Sequence, residues 1–381
     1  MQANTTSPRL RASDVASWMV AVFGVVLLVL LLLSFALETR APRTTPAANT
    51  ASNGRIAYFE FGATADTLWL TSPSDPAERE PVFTAPHALE YGVIPSISPY
   101  GTGVVYAALP PSIAAPGPDS PAELWYAPLN AGAEPRLVAS GIDLLVAPVW
   151  SPDAKRVVYR RSDATSFALV EMPFDGGAER LLVMTSSDEA LFPIGFSRDG
   201  ATLYYVDLSN AGSQLLAFNT LSGSITRVTQ LSGGLTRDWV LSPDGSQLAF
   251  LALDYTPEAI SSRAYVVDLA TTAIQPVSDA HASAFGPIWD DDGALIVGTL
   301  SPGGGSSFVQ LQDGKTSQIL GPQSGFDVPL AYLPGDARLV RAFAGASSSA
   351  PGRASLTLID SNDERHVLST SDVTFVGWSA R

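Results

Sequence analysis

The chain has 381 residues, carries 37 acidic against 22 basic side chains for a net charge of −15, and contains no cysteine. Such acidity repels phosphate backbones and argues against nucleic-acid binding, and the two lysines, Lys155 and Lys315, cannot make a basic patch. Without cysteine there is no disulfide, no thiolate metal site and no lipid attachment at a lipobox.

Residues 1–16 read as a short tail. From Ser17 to Leu37 run 21 residues without a charge, dominated by Val and Leu. As a helix this stretch reaches about 31 Å, the thickness of a bilayer core. The apolar region of a signal peptide runs only about 7 to 15 residues, so the length predicts a retained transmembrane helix over 17–37. Arg9 and Arg11 precede it, and Arg40 and Arg43 follow, so flanking charge gives no orientation. An amino-terminal anchor ahead of a large domain leaves its short tail in the cytoplasm. The expected topology is therefore single-pass, with the N-terminus cytoplasmic and the remainder outside it. Residues 38–53, rich in Ala, Thr and Pro, read as a flexible linker. Four of the 22 basic and two of the 37 acidic residues precede residue 44, which leaves 18 against 35 beyond it, a net charge of −17.

From Gly54 onward one pattern recurs. An apolar residue ends a strand, a Ser-Pro-Asp-Gly turn follows, and an alternating apolar run begins the next strand. Proline presets its own φ, Asp bonds the local backbone, and Gly accepts the positive φ. Copies run from Ile97 through Gly101, from Trp150 through Tyr159, from Phe196 through Tyr205 and from Leu241 through Phe250. Worn copies start at Trp289 and Tyr332, and a last one is cut short at Trp378 to Arg381. Successive starts lie 53, 46, 45, 48, 43 and 46 residues apart. A period near about 47 residues matches four short strands with their turns, the blade of a β-propeller. The truncated copy supplies a strand without its partner, and Asn53 to Tyr58 supplies the partner without its predecessor. Head and tail therefore complete one blade. The expected fold is all-β, a seven-bladed β-propeller over 54–381 closed by pairing of its N- and C-terminal strands.

These repeats, fullest at Trp150 to Tyr159, Phe196 to Tyr205 and Leu241 to Phe250, resemble the WD-like propeller repeat of the TolB family. The resemblance covers 54–381 and implies the propeller; it does not extend to the small α/β domain that precedes the propeller in TolB, for which the first 53 residues leave no room. Related blades serve as scaffolds, as envelope proteins and as gating domains of peptidases, so the resemblance implies a fold rather than a chemistry.

In the fourth blade the strands are expected at Leu191 to Phe196, Thr202 to Leu208, Ser213 to Asn219 and Ile225 to Thr229. The connections between second and third strands vary, with long ones at Leu109 to Ala122, Asp254 to Ser262 and Gly345 to Ala354. They emerge beside the loops that enter the innermost strands, around the mouth of the central channel. Near that mouth Tyr91, Arg237, Asp238, Trp239, His281 and Asp327 are the candidate ligand or partner residues.

No catalytic residue is assigned. Of the three histidines, His87, His281 and His366, none sits in a Gly-x-Ser-x-Gly setting. Lys315 follows Asp313-Gly314, which reads as a hairpin turn and not as a phosphate loop. Asp290, Asp291 and Asp292 occupy a blade turn and lack the spaced ligands of a calcium loop. The expectation is a non-catalytic scaffold of the cell envelope without cofactor or metal, whose partner is an envelope protein, a peptide or a glycan. The alternative is a propeller hydrolase or lyase using carboxylates of the channel.

Overall fold

The computed structural model describes residues 54–379, apart from 118–119, 164, 175–176, 187–188, 256–259, 334–336 and 346. The tail, the apolar span and the linker expected over 1–53 lie outside the described residues. Among those described, no helix is long and apolar enough to cross a membrane.

Seven four-stranded antiparallel sheets follow one another. Their innermost strands are Val373–Ser379, Ile94–Ile97, Val149–Trp150, Ala190–Phe196, Thr236–Leu241, Ser283–Trp289 and Phe326–Tyr332, which define blades 1 to 7. Blade 1 draws its other strands, Arg55–Glu60, Ala65–Ser72 and Asp75–Pro86, from the start of the described chain. Ile56 pairs with Trp378 and Glu60 with Val373, so the two ends of the propeller form one ladder as expected. A closed ring leaves no open edge between the first blade and the last.

The recurring turn is a hydrogen-bonded device. In blade 4 the Ser197 hydroxyl donates to Asp199 Oδ1 (2.6 Å) and accepts the Thr202 N–H (2.9 Å). The same carboxylate accepts the Ala201 N–H at 3.0 Å. Ser242 and Asp244 repeat this in blade 5, and Ser151 and Asp153 in blade 3. The hydroxyl bonds and backbone N–H groups hold the Asp199 and Asp244 carboxylates below their usual range. Gly200 and Gly245 take the closing positive φ, whereas in blade 3 Ala154 does so at φ 55°. An L-residue in that conformation costs about 1–2 kcal/mol, so this copy is the strained one. The blade 6 hairpin turns at Asp313 and Gly314, both at positive φ, as its Asp-Gly pair demands.

Packing explains why neither face of a blade reads as polar. Each core cluster straddles neighbouring blades: Val149, Val158 and Leu169 of blade 3 meet Leu191, Leu203 and Tyr205 of blade 4. Strands such as Gly103–Ala108 and Leu295–Leu300 are buried at every residue. The tryptophans that open the motif also reach between blades, Trp150 Nε1 donating to Ser96 O and Trp289 Nε1 to Val240 O, both at 3.1 Å.

The fourth-blade strands fall at Ala190–Phe196, Thr202–Ser209, Gly212–Asn219 and Ile225–Ser232, within three residues of expectation. One connection differs. Most of the described part of the segment read as a loop from Asp254 to Ser262 is strand, because Gln247–Tyr255 and Ile260–Asp268 stay paired out to Tyr255 and Ile260. The ladder thus carries Asp254 opposite Ser261 and Leu253 opposite Ser262, and the four residues from Thr256 to Ala259 lie outside the described residues.

Candidate functional site

Two kinds of connection share one end of the propeller: those from second to third strand, and those from the outermost strand into the next innermost one. Their groups form the channel mouth. Its densest part runs from blade 3 to blade 5.

Asp143 lies in the loop entering blade 3 and accepts the Leu145 N–H at 2.7 Å. Its other oxygen receives Arg160 from the far end of the adjacent strand, through Nε at 2.8 Å and a terminal nitrogen at 2.7 Å. The remaining terminal nitrogen of Arg160 donates to Leu191 O of blade 4 at 3.1 Å. Both partners are buried, and the guanidinium lies between the rings of Phe167 and Phe192, 4.8 and 4.7 Å from their centroids. Phe192 in turn lies 5.3 Å from Trp239 of blade 5, whose indole N–H is held by Thr236 Oγ1 at 2.9 Å. Arg237 and Asp238, on the same strand, approach to 4.0 Å, with Asp238 at φ 54°. A continuous ridge of charge and aromatic rings therefore crosses three blades.

Asp207, on the second strand of blade 4, has one carboxylate oxygen buried without a hydrogen-bond partner among the described residues. Burial and the neighbouring Glu189 raise its pKa.

Across the mouth, His87 enters between blades 1 and 2. Its Nε2 lies 2.9 Å from Asp66 Oδ1 and its Nδ1 2.8 Å from Ala88 O. Both neighbours are acceptors, so both ring nitrogens carry protons. Asp66 also accepts the Val93 N–H at 2.8 Å and the Gly62 N–H at 3.1 Å, and Phe61 stacks on the imidazole at 6.0 Å. Burial opposes the charge on His87, but the bonds to Asp66 and Ala88 O, with the charges of Asp66 and Glu90, outweigh it and the pKa rises. A histidine whose pKa is raised on folding contributes stability that is complete below its unfolded value near about 6.5 and is lost as pH rises through the folded value. The thermal midpoint is therefore expected to lose this contribution as pH rises above the unfolded value of about 6.5, and the His87→Gln variant to lack that component. Parallel melting profiles for the two proteins would refute the charged pair.

The six residues singled out from sequence are dispersed. Arg237, Asp238 and Trp239 belong to the ridge. Tyr91 is half-buried against the blade 2 core and donates its backbone N–H to Ala88 O. His281 is exposed in the loop entering blade 6, with its N–H on Asp279 Oδ1 at 2.7 Å. Asp327 is buried and engaged by both terminal nitrogens of Arg365 at 2.8 and 2.9 Å, a wall pair. Sequence reasoning missed Arg160 and the His87–Asp66 pair. The available signal for the first was Arg160 itself, where the sister strands of blades 2, 4 and 5 carry Ala107, Val206 and Leu251; His87 gave none. Asp290 spends one oxygen on the Ala294 N–H at 2.7 Å, a turn role. Asp360, Glu364 and His366 also come together, and the sequence reading passed over them.

No family model matches the chain, and no curated protein matches it. Solved structures do. They include prolyl oligopeptidase B from Galerina marginata, 12% identical with a TM-score of 0.58, over 88% of this chain and 52% of that one. Another is an oligogalacturonate lyase in complex with manganese, 14% identical with a TM-score of 0.55, over 82% and 83% of the two chains. TolB from Acinetobacter baumannii is also among them, 18% identical with a TM-score of 0.49, over 71% and 64%. The chain thus spans about half the length of the prolyl peptidase and less than two thirds of that TolB. At these identities the likeness is one of fold.

Proposed function

We propose that this chain is a single-pass membrane protein that displays its propeller outside the cytoplasm as a non-catalytic binding module, with the channel mouth as the binding face. The ligand is another envelope protein, a peptide or a glycan. The observation that carries this reading is how the mouth spends its charges. Asp143 is bonded to Arg160, Asp66 to His87, Asp327 to Arg365 and Asp372 to Arg341. Groups committed to wall pairs build a rigid rim and are poorly placed to exchange protons with a substrate. Among the described residues, neither His87 nor His366 bonds a hydroxyl that it could activate as a nucleophile. Half-buried aromatics remain at the rim: Trp239 offers an apolar ring whose N–H is held by Thr236, and Tyr91 an apolar face with a polar tip, the chemistry that recognises peptides and sugars.

The test uses the full chain, extracted from native membranes in mild detergent. A partner is expected to co-purify with wild type, to be lost from Trp239→Ala, and to be retained by Leu320→Ala, whose side chain is exposed on an outermost strand. Retention by Trp239→Ala, or turnover of a peptide or glycan by the purified chain, would overturn the reading. A reporter fused after Arg381 that is active only in the cytoplasm would overturn the topology.

A further inference from the structure

We propose that the outer hairpin of blade 7 holds a divalent metal ion of the zinc class on Asp360, Glu364 and His366. This hairpin joins Ala354–Ile359 to Arg365–Ser369. The Asp360 N–H donates to Glu364 O at 3.0 Å, which sets those residues opposite each other, and Leu358 stands opposite His366. Because side chains alternate along a strand, positions 358 and 360 share a face, and 364 and 366 share it with them. Three metal-ligating side chains therefore converge, one donor atom from each lying within 4.8 Å of the others. Small side-chain rotations bring such a set onto one ion at bond lengths of about 2.0–2.2 Å.

The donors are also prepared. Asp360 Oδ1 is pinned by the N–H groups of Asn362 (2.8 Å) and Glu364 (2.9 Å), which leaves Oδ2 facing His366 Nε2 at 3.3 Å. Neighbouring cations are engaged elsewhere, Arg338 on Asp363 and Arg365 on Asp327. Asp360 has His366 as its partner, whereas among the described residues the Glu364 carboxylate has neither a hydrogen bond nor an ion pair, which leaves it available to a ligand.

Comparison within the ring separates this cluster from ordinary turn chemistry. The outer hairpins of blades 4 and 5 are pinned in the same way, by Asn219 on the N–H groups of Leu221 and Ser222, and by Asp268 on those of Ala270 and Thr271. At the places of Glu364 and His366 they carry Ser224 and Thr226, or Ala273 and Gln275. The turn therefore needs its capping residue, and blades 4 and 5 lack the extra carboxylate and imidazole of blade 7. One imidazole nitrogen with two carboxylate oxygens suits a borderline ion such as zinc and leaves a coordination position to solvent. Calcium takes about six to eight oxygens, more than this hairpin offers. The turn of the hairpin lies at the end of the blade opposite the mouth, and Arg365, between two of its donors, is the partner of Asp327 in the channel wall.

The experiment titrates the chelator-stripped full chain in detergent with zinc chloride by calorimetry, and with cobalt by absorption. One ion per chain is expected, with a cobalt spectrum that His366→Ala abolishes. Glu364→Gln and His366→Ala are each expected to weaken zinc at least about tenfold, and His281→Ala to leave it unchanged. Both variants keep the hairpin, because its bonds at 360 and 364 use the backbone of Glu364 and the side chain of Asp360. Zinc affinity unaltered in both variants, or no saturation at millimolar zinc, would overturn the site.

Discussion

Deleting the last ten residues, from Asp372 to Arg381, is expected to abolish the cooperative unfolding transition of the propeller. Those residues supply the innermost strand of blade 1, which pairs with Arg55–Glu60 and buries Val373, Phe375, Val376 and Trp378. Burial of each such side chain is worth about 1.5–3 kcal/mol, so the four together contribute about 6–12 kcal/mol. A whole domain is stable by about 5–15 kcal/mol. The loss is therefore comparable to the total, and it also exposes the backbone edge of Arg55–Glu60. A full-length variant makes the same point without truncation. Gly377 sits at φ 147°, and a Cβ there would meet Ile97 Cγ2 of blade 2 at 2.7 Å. Gly377→Val is expected to lower the thermal midpoint steeply, as followed by circular dichroism. Wild-type melting of either protein would show that the ring is not held by this strand.

Asp143→Ala is expected to destabilise the chain by about 3–5 kcal/mol. Arg160 is only 4% exposed, and without Asp143 its guanidinium keeps one hydrogen bond, to Leu191 O, between two aromatic rings. An unpaired buried charge costs far more than the pair itself gains. The double variant Asp143→Ala/Arg160→Met is expected to recover most of the loss, since a methionine fills the space between Phe167 and Phe192 without a charge to bury. Urea unfolding measures both. Equal losses in the single and double variants would mean that Asp143 acts by capping Leu145 and not by pairing Arg160. Because Phe192 leans on Trp239, the single variant is also expected to loosen the rim of the mouth.

Much of the fold was legible in one dimension because its determinants are local and repeated. The Ser-x-Asp turn works through bonds spanning five residues or fewer, as Ser197, Asp199 and Thr202 illustrate. Repetition at near-even spacing then counts the blades. The misread segment from Asp254 to Ser262 shows the limit: Pro257 beside polar neighbours suggests a loop, yet cross-strand pairing carries the ladder on to Tyr255 and Ile260.

The candidate site was legible only in part. Arg237, Asp238 and Trp239 stood out as a charged and aromatic run at the start of an innermost strand. Asp327 stood out too, but its chemistry is decided by Arg365, 38 residues away in sequence. Asp143 and Arg160 are 17 residues apart and His87 and Asp66 are 21 apart, separations at which nothing in the chain announces contact.

By itself, then, the order of residues determined the repeat, the number of blades and the complementarity of the two ends, because each rests on backbone conformations that a few adjacent side chains dictate. Only the tertiary structure decided which charges neutralise one another, which aromatic rings remain at the rim and that Asp360, Glu364 and His366 share a face. Those outcomes depend on blade-to-blade packing and strand register, which bring together groups that the sequence holds far apart.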